Sequence, residues 1–251
     1  MIQFQNVTKS FGTQVVLNHI SFEIPAGKLT VILGPSGEGK SVLLKHIIGL
    51  MKPDEGKVIV DGVDLWSLSD KERTEFRKKF GMLFQSAALF DSMTVFENVA
   101  FPIREHTSLS EEEIKSKVLE KLKMVGLEKA IDKIPSELSG GMRKRVGLAR
   151  AIALEPKILL YDEPTTGLDP LMTESINQLI YETQKKLNGQ NSVTSVVISH
   201  DVESTFRVAD LVVLLYRGQI IAEGRPDDFK NGKFTHPFVK EFLRGHFEKN
   251  I

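Results

Sequence analysis

The spacing of apolar residues predicts a β-rich opening to the chain. The segments "MIQFQNV" and "VVLNHISFEI" cluster β-branched and apolar residues on either side of a turn at Gly12, as strands do. A short apolar strand, "KLTVILG", follows, and the next segment, "KSVLLKHIIGL", spaces its apolar residues as a helix does. We therefore expect strands before and after one early helix.

The middle of the chain, residues 86–156, has a helical pattern. Its clearest helix is the segment "SEEEIKSKVLEKLKMVGL", where Ser110 and Glu113 have the spacing of a capping box. Beyond this stretch, three apolar runs predict buried strands separated by helices: "KILLYDE", "SVVISH" and "LVVLLY". This order indicates an α/β fold with a mostly parallel core sheet and an inserted helical lobe.

Composition and charge mainly exclude classes of protein. The 251 residues suit one large α/β domain, or one domain with a sizeable insertion. Lys plus Arg equals Asp plus Glu at 33 each, so net charge does not indicate a nucleic-acid partner. The chain has no cysteine, which excludes disulfides and thiolate metal sites. We see no signal-peptide pattern, and the apolar runs are too short to span a bilayer. If the chain works at a membrane, we expect other subunits to provide the membrane-spanning helices.

The segment "GPSGEGKS" matches the phosphate-binding pattern G-x-x-x-x-G-K-[ST], with a predicted strand before it and a helix after it. Glycines let backbone N–H groups approach phosphate oxygens, and the helix N-terminus adds its positive end. Lys40 is expected to contact the β- and γ-phosphates and Ser41 to bind Mg²⁺. An ordinary Gly-rich turn is the alternative. No N-K-x-D segment accompanies the loop, which favours ATP over GTP. The predicted nucleotide-binding residues here are Gly34, Pro35, Ser36, Gly37, Gly39, Lys40 and Ser41.

Two carboxylates end the predicted strand in "ILLYDEP". Because side chains alternate along a strand, Asp162 and Glu163 point in different directions. We assign Asp162 to Mg²⁺ and Glu163 to the attacking water. The alternative is that both cap a turn before Pro164.

Two further polar residues follow apolar runs. His200 comes directly after "VVIS", at the sheet edge where α/β proteins bind ligands, and can donate to a phosphate oxygen. Gln85 follows "GMLF" and is a candidate for contact with Mg²⁺ or the attacking water. A structural histidine and a solvated glutamine are the respective alternatives.

A second glycine-rich segment, "ELSGGMRKRVGLAR", precedes a helical pattern. Ser139, Gly140 and Gly141 would offer a hydroxyl, backbone N–H groups and a helix N-terminus to an anion. No second lysine loop or acid pair accompanies them, so this is half of a site. A second copy of the chain could complete it across a two-fold axis. The alternative is a simple N-cap.

The order of these motifs, with "TGLD" ending at Asp169, resembles the ATP-binding cassette ATPases of membrane transporters over nearly the whole chain. The resemblance implies a P-loop NTPase with a mostly parallel core sheet, an N-terminal antiparallel β subdomain and an inserted α-helical subdomain. The resemblance also divides the chain into three parts. Residues 1–85 and 157–235 would form the nucleotide-binding core, residues 86–156 the helical subdomain, and residues 236–251 a C-terminal tail.

The same resemblance implies a homodimer with ATP and Mg²⁺ sandwiched between protomers. Asp169 would then belong to a loop that crosses the dimer axis, and Phe11 would stack on adenine, with core packing as the alternative for Phe11. The lobe after Gln85 would carry movement to a groove for a permease helix. Leu89, Phe90 and Phe96 are candidates for lining that groove or for the core of the lobe.

Met142 departs from the Gln that most cassettes carry after the two glycines, which puts a polar contact there in doubt. With Met142, the segment "FQSAALFDSMTVFENVAFPIREH" is similar to cassettes of the Mla-type lipid transporters. That similarity implies a phospholipid substrate, permease subunits, an Mce-domain subunit, a possible small accessory protein and a place at the cytoplasmic face of the inner membrane. The alternatives are a small-solute importer and a non-transport cassette ATPase.

Overall fold

The computed structural model describes residues 1–188 and 193–247. Within them the chain divides into two compact units. The first unit combines residues 1–77 with the described residues from 194 onward, and the second unit takes the described residues between 78 and 193.

The first unit begins with most of its strands. Its N-terminal elements are β1 (Ile2–Phe11), β2 (Gln14–Ile24), β3 (Leu29–Leu33), α1 (Lys40–Ile47), β4 (Glu55–Val60), β5 (Val63–Asp64) and α2 (Asp70–Arg77). The second unit is mainly helical. Its elements are β6 (Phe80–Leu83), α3 (Val95–His106), α4 (Glu111–Met124), α5 (Gly140–Ala151), β7 (Ile158–Asp162) and α6 (Pro170–Asn188), with 3-10 turns at Glu128–Ala130 and Pro135–Glu137.

The chain then returns to the first unit. Its later elements are β8 (Thr194–Ser199), α7 (Val202–Val208), β9 (Leu211–Tyr216), β10 (Gln219–Gly224), α8 (Pro226–Lys230) and α9 (Pro237–Phe247).

An antiparallel sheet forms in the first unit with strand order β2-β1-β4-β5. In its register Ile2 lies opposite both Ile24 and Val60, and all three side chains are buried. Phe4 and Phe22, also paired, stack with ring centroids 4.7 Å apart. The β-rich opening predicted from the sequence is confirmed, because alternate apolar residues of these strands share one buried face.

Parallel strands of the first unit position the start of the phosphate-binding loop and His200. β3 pairs in parallel with β8 and with β9, and β10 pairs antiparallel with β9. Every residue of β3 and β8 is buried, as expected of strands covered on both faces. Leu33 lies opposite Ser199, so the residues that follow them, Gly34 and His200, leave the sheet at the same edge.

The second unit uses the same geometry. β6 and β7 pair in parallel, with Leu83 opposite Tyr161. Asp162, the last residue of β7, and Gln85, which follows β6, therefore lie at one edge of these neighbouring strands. β6 and the helix α5 lie in close contact: a Cβ added at Gly81 would stand 2.1 Å from the carbonyl oxygen of Ala151.

The helices of the second unit begin at side-chain caps. Ser110 Oγ accepts from the backbone N–H of Glu113 at 3.4 Å while the Glu113 carboxylate accepts from the Ser110 N–H at 2.8 Å, which confirms the predicted capping box. Thr94 and Glu97 form a second capping box at the start of α3, which was not predicted from the sequence. Hydrogen bonds to Thr94 and Ser110, respectively, hold the pKa of Glu97 and that of Glu113 below the ordinary value.

The C-terminal tail packs on its own chain. The Phe238 ring stacks on Tyr216 with centroids 3.7 Å apart, and Val239 is buried. The last four residues of the predicted tail, 248–251, lie outside the described residues. Within the described part of the chain, no helix combines the length and the apolar character needed to cross a bilayer.

Candidate functional site

The phosphate-binding loop joins β3 to α1 in the first unit and depends on glycine at two positions. A Cβ at Gly34 would lie 2.3 Å from the carbonyl oxygen of Leu215, and one at Gly39 would lie 2.6 Å from Val16 Cγ1. Gly39 also has a φ of 93°, which side-chain-bearing residues rarely adopt. Gly37 has a φ of 87° but open space around it. The loop backbone therefore follows a path that only these glycines permit.

Lys40 is held across this loop. Its side chain is buried, and Nζ donates to the carbonyl oxygens of Gly34 at 2.8 Å and Pro35 at 2.7 Å. Lys40 is also the first residue of α1, whose N-cap residue Gly39 supplies no side-chain cap and whose first turn carries no acidic residue. The loop thus combines a positioned ammonium with the positive end of a helix.

Phe11 and His200 are the other predicted site residues of the first unit. Phe11 ends β1 with 48% of its surface exposed, and Lys9 Nζ stands 5.7 Å from its ring centroid. Exposure removes core packing as the explanation for Phe11. His200 is exposed and follows the strand that pairs with the one leading into the phosphate loop.

The acid pair ends β7 in the second unit. Glu163 adopts a left-handed backbone conformation, with φ of 44°, directly after the strand residue Asp162. The Thr166 hydroxyl donates to Glu163 Oε2 at 2.9 Å, and the Thr166 N–H donates to the Glu163 carbonyl at 3.2 Å. Glu163 therefore begins a turn that includes Pro164, and the Thr166 hydroxyl orients the Glu163 carboxylate.

The backbone carbonyl of Gln85 accepts a hydrogen bond from a buried lysine. The side chain of Gln85 is exposed, while its carbonyl oxygen accepts from Lys144 Nζ. Burial lowers the pKa of Lys144, and the carboxylates of Asp162 and Glu163 oppose that shift. Lys144 was not predicted as a site residue from the sequence, where its only signal is its place among the cations that follow Gly141.

Ser139 is the N-cap of α5. Its Oγ accepts from the backbone N–H of Met142 at 3.3 Å, so the N-cap considered as an alternative is formed. Because this contact uses the backbone of Met142, it does not depend on the side chain at that position. The Ser139 residue is exposed, and its hydroxyl hydrogen can still be donated.

The two glycines after Ser139 lie against the loop and helix that follow the acid pair. A Cβ at Gly140 would stand 3.4 Å from Leu168 Cδ2, and one at Gly141 would stand 3.2 Å from Met172 Sδ. Asp169 caps α6, with Oδ1 accepting from the Met172 N–H at 2.9 Å. The second unit therefore brings the segments carrying Ser139 and Asp169 close together.

The predicted site residues thus fall into two groups, each within one unit. The first unit holds the loop from Gly34 to Ser41, with His200 at the same sheet edge and Phe11 exposed at the end of β1. The second unit holds Gln85 beside the acid pair, and Ser139 with its glycines near Asp169.

A profile of the ABC transporter family matches residues 17–166 of the chain. The probable ribonucleotide transport ATP-binding protein mkl of Mycobacterium leprae is 44% identical over 97% of this chain and 69% of its own length. The intermembrane phospholipid transport system ATP-binding protein MlaF of Haemophilus influenzae is 45% identical over 98% of this chain and 90% of its own.

Solved structures of transporter cassettes share the fold. The dimeric structure of the ABC transporter cassette MJ0796 matches with a TM-score of 0.81 and 36% identity, over 90% of this chain and 99% of that one. A dimeric post-hydrolysis state of the same cassette, bound to ADP and Pi, matches with a TM-score of 0.80 and 35% identity over the same shares.

We predict that Gly34→Ala destabilises the nucleotide-free chain more than Gly37→Ala does. Both substitutions strain a backbone with positive φ, at about 1–3 kcal/mol, but only the first places a methyl group against the Leu215 carbonyl, which adds about 1–3 kcal/mol of overpacking. Urea unfolding of the two variants and the wild type measures the difference. Equal loss of unfolding free energy in both variants would contradict the close approach of Gly34 to Leu215.

Proposed function

The chain belongs to the ABC transporter family, and from that premise we propose that it is the ATP-hydrolysing subunit of a phospholipid transporter. As a member of this family it is an ATPase. In the proposed complex, two copies of the chain bind two ATP molecules between them and drive a membrane permease. The observation that carries the proposal is the Lys40 ammonium, buried in a glycine-dependent loop at an uncapped helix N-terminus.

On ATP binding, the Lys40 ammonium would exchange its hydrogen bonds within the loop for hydrogen bonds to phosphate. The Lys40 ammonium donates to the carbonyl oxygens of Gly34 and Pro35, which are neutral acceptors. A β- or γ-phosphate offers stronger, charged acceptors to the same ammonium. The exposed ring of Phe11 would stack on adenine.

Mg²⁺ would be held by Ser41, Asp162 and Gln85. Within residues 1–188 and 193–247 no group of three or more His, Cys, Asp or Glu could hold a metal ion. This donor set fits Mg²⁺, which keeps waters and takes ligands from one or two carboxylates and the phosphates rather than from a protein cage. When bound, Mg²⁺ neutralises charge at the β- and γ-phosphates.

Hydrolysis is assigned to three side chains. Glu163, oriented by Thr166, would accept the proton of the attacking water, and His200 would donate to a γ-phosphate oxygen. Gln85 would position the water.

The second copy would supply Ser139, Gly140 and Gly141 to each ATP. The Ser139 oxygen accepts from the Met142 N–H, which leaves the hydroxyl hydrogen to be donated to a γ-phosphate oxygen. The dimeric structures of MJ0796 support a paired arrangement. Asp169 would lie at the contact between copies, beside these residues.

A groove in the second unit is proposed as the permease contact. It has a volume of about 340 Å³, and Phe90 and Phe101 line it with 41% and 37% of their surfaces exposed. Neither Leu89 nor Phe96, the other two candidates from the sequence, is among its lining residues. An apolar groove of this kind accepts a helix from another subunit.

The proposed substrate, phospholipid, is inferred from the similarity to the intermembrane phospholipid transport protein MlaF. That match covers nine-tenths of the length of MlaF. The name of mkl, a probable ribonucleotide transport protein, gives the competing substrate class. An Mce-domain subunit and a small accessory protein are further proposed partners. The chain would sit on the cytoplasmic face of the inner membrane.

We predict that Glu163→Gln abolishes ATP turnover by at least about a hundredfold, because the amide cannot accept a proton from water. ATP affinity is expected to stay within about threefold, since the binding contacts are elsewhere. Single-turnover hydrolysis and equilibrium ATP binding measure the two effects, and size-exclusion chromatography with ATP should show a longer-lived dimer. A variant that hydrolyses ATP normally would remove Glu163 from the catalytic step.

We predict that chains defective at Ser139 rescue chains defective at Lys40. A mixed dimer of Ser139→Ala and Lys40→Met contains one composite site with both groups intact, whereas each homodimer contains none. Mixing equal amounts should restore ATPase activity that neither variant has alone. The absence of rescue in a mixture that still forms dimers would argue against a shared site.

We predict that Phe90→Ser releases the permease, because it places a hydroxyl on the apolar wall of the groove. Co-purification of the membrane subunits should fall by about tenfold, equivalent to the loss of one apolar contact of roughly 1–2 kcal/mol. Leu119→Ser, on the exposed face of α4 outside the groove, is the matched control and should keep them. Equal retention by both variants would place the permease elsewhere.

Two experiments test which substrate class is transported. The first identifies the lipid or nucleotide bound to the purified complex, and the second reconstitutes the complex in phospholipid vesicles. ATP-dependent movement of phospholipid supports the proposal. Movement of ribonucleotides instead would assign this chain to the substrate class named for mkl.

A further inference from the structure

We propose that Lys144 is a positioning residue for ATP hydrolysis, which holds the Gln85 loop, residues 85–88, to the helix α5. The inference rests on the proposed function, because it assigns Gln85 a place at the reacting phosphate. Lys144 itself is not proposed to touch ATP, and it acts through the loop that it holds.

One face of α5 lies against the Gln85 loop and the strand before it. Lys144, Gly147 and Arg150 are spaced three residues apart, so they share that face. A Cβ at Gly147 would lie 2.7 Å from Leu83 Cδ1 and 3.2 Å from the Ala87 Cβ. Glycine thus lets the helix backbone approach the loop closely enough for the flanking cations to reach its carbonyl groups.

Lys144 binds the first residue of the loop. Its side chain is 5% exposed, and Nζ donates to the Gln85 carbonyl oxygen. The carboxylates of Asp162 and Glu163 are near enough to favour its charged form. The ammonium therefore binds the backbone of Gln85 within electrostatic reach of the acid pair.

Arg150 binds the other end of the loop. Its two terminal nitrogens donate to the carbonyl oxygens of Ala87 and Ala88, each at 2.8 Å. Both alanines have left-handed backbones, with φ of 62° and 46°. Such conformations cost free energy in a residue with a side chain, so the loop depends on surrounding contacts to keep its shape.

A second buried lysine in the same unit shows what is distinctive in Lys144. Lys121, 2% exposed, donates to the carboxylates of Glu120 and Glu155, which is the usual way to compensate a buried charge. Lys144 instead donates to a backbone carbonyl at the start of a strained loop. Its hydrogen bond fixes the peptide of Gln85, and hence the direction in which the exposed Gln85 side chain leaves the backbone.

The test compares three variants of the full chain: Lys144→Met, Lys144→Gln and the control Lys121→Met. Lys144→Met removes the donor with little change in volume, and it should lower kcat by about tenfold or more while the KM for ATP changes by less than about twofold. Lys144→Gln restores an N–H donor without the charge, and should recover kcat to within about threefold of the wild type. Lys121→Met should keep the wild-type kcat.

Hydrogen exchange of the nucleotide-free chain supplies a readout that does not depend on activity. The Ala87 N–H, which bonds to the Phe84 carbonyl at 2.9 Å, should exchange faster in Lys144→Met and not in Lys121→Met. Should Lys144→Met fail to fold, Lys144→Gln must still fold and hydrolyse ATP, and a folded but inactive Lys144→Gln overturns the proposal.

Other outcomes separate this inference from the function that it rests on. Three outcomes in Lys144→Met overturn the proposed role of Lys144 but not the proposed function. They are a wild-type kcat, an unchanged exchange rate of the Ala87 N–H, and a rise in KM at unchanged kcat. A wild-type chain that does not hydrolyse ATP, alone or with its membrane subunits, overturns the proposed function and this inference together.

Discussion

The site depends on the parallel register of two strand pairs. Leu33 lies opposite Ser199 and Leu83 opposite Tyr161, so within each unit two motifs far apart in sequence leave paired strands at the same edge. Buried strands cannot shift register without leaving backbone groups unpaired, which makes this placement rigid. A rigid edge is what phosphate chemistry requires, since its catalysis consists largely of positioning charge.

Much of this arrangement could be predicted from the sequence, because the information is local. The glycines before Lys40, the acid pair after an apolar run and the Ser110 capping box each lie within a few residues of what they determine. The groups that hold the Gln85 loop could not be predicted in the same way. Lys144 and Arg150 look like surface cations, and only the packing of α5 on β6 turns them towards the loop. The fold class was accessible because apolar periodicity reports burial, whereas these hydrogen bonds span some sixty positions.

Ser139 and Asp169 combine an observed structural role with a proposed role at the nucleotide contact. Each accepts a backbone N–H at the start of its own helix, from Met142 and Met172 respectively. An accepted hydrogen bond fixes the oxygen without consuming the hydroxyl hydrogen of Ser139. The cap therefore preorganises the donor, and a phosphate that binds there does not have to order a free side chain. The simple N-cap and the half-site are accordingly compatible, and the capping bond is a reason to expect the half-site to be rigid.

Arg150 contacts both the Gln85 loop and the apolar groove of the second unit. The guanidinium donates to Ala87 and Ala88 and also lines the groove, where it stands 5.9 Å from the Phe90 ring centroid. A helix seated in the groove would thus contact the same cation that shapes the Gln85 loop, and α5 carries both Arg150 and Ser139 on one rigid element. Coupling between two sites needs an element whose position both sites affect. In this chain α5 is the element that joins the two proposed contacts, because its N-terminus lies at the proposed ATP contact and its C-terminal turn lies at the proposed permease contact.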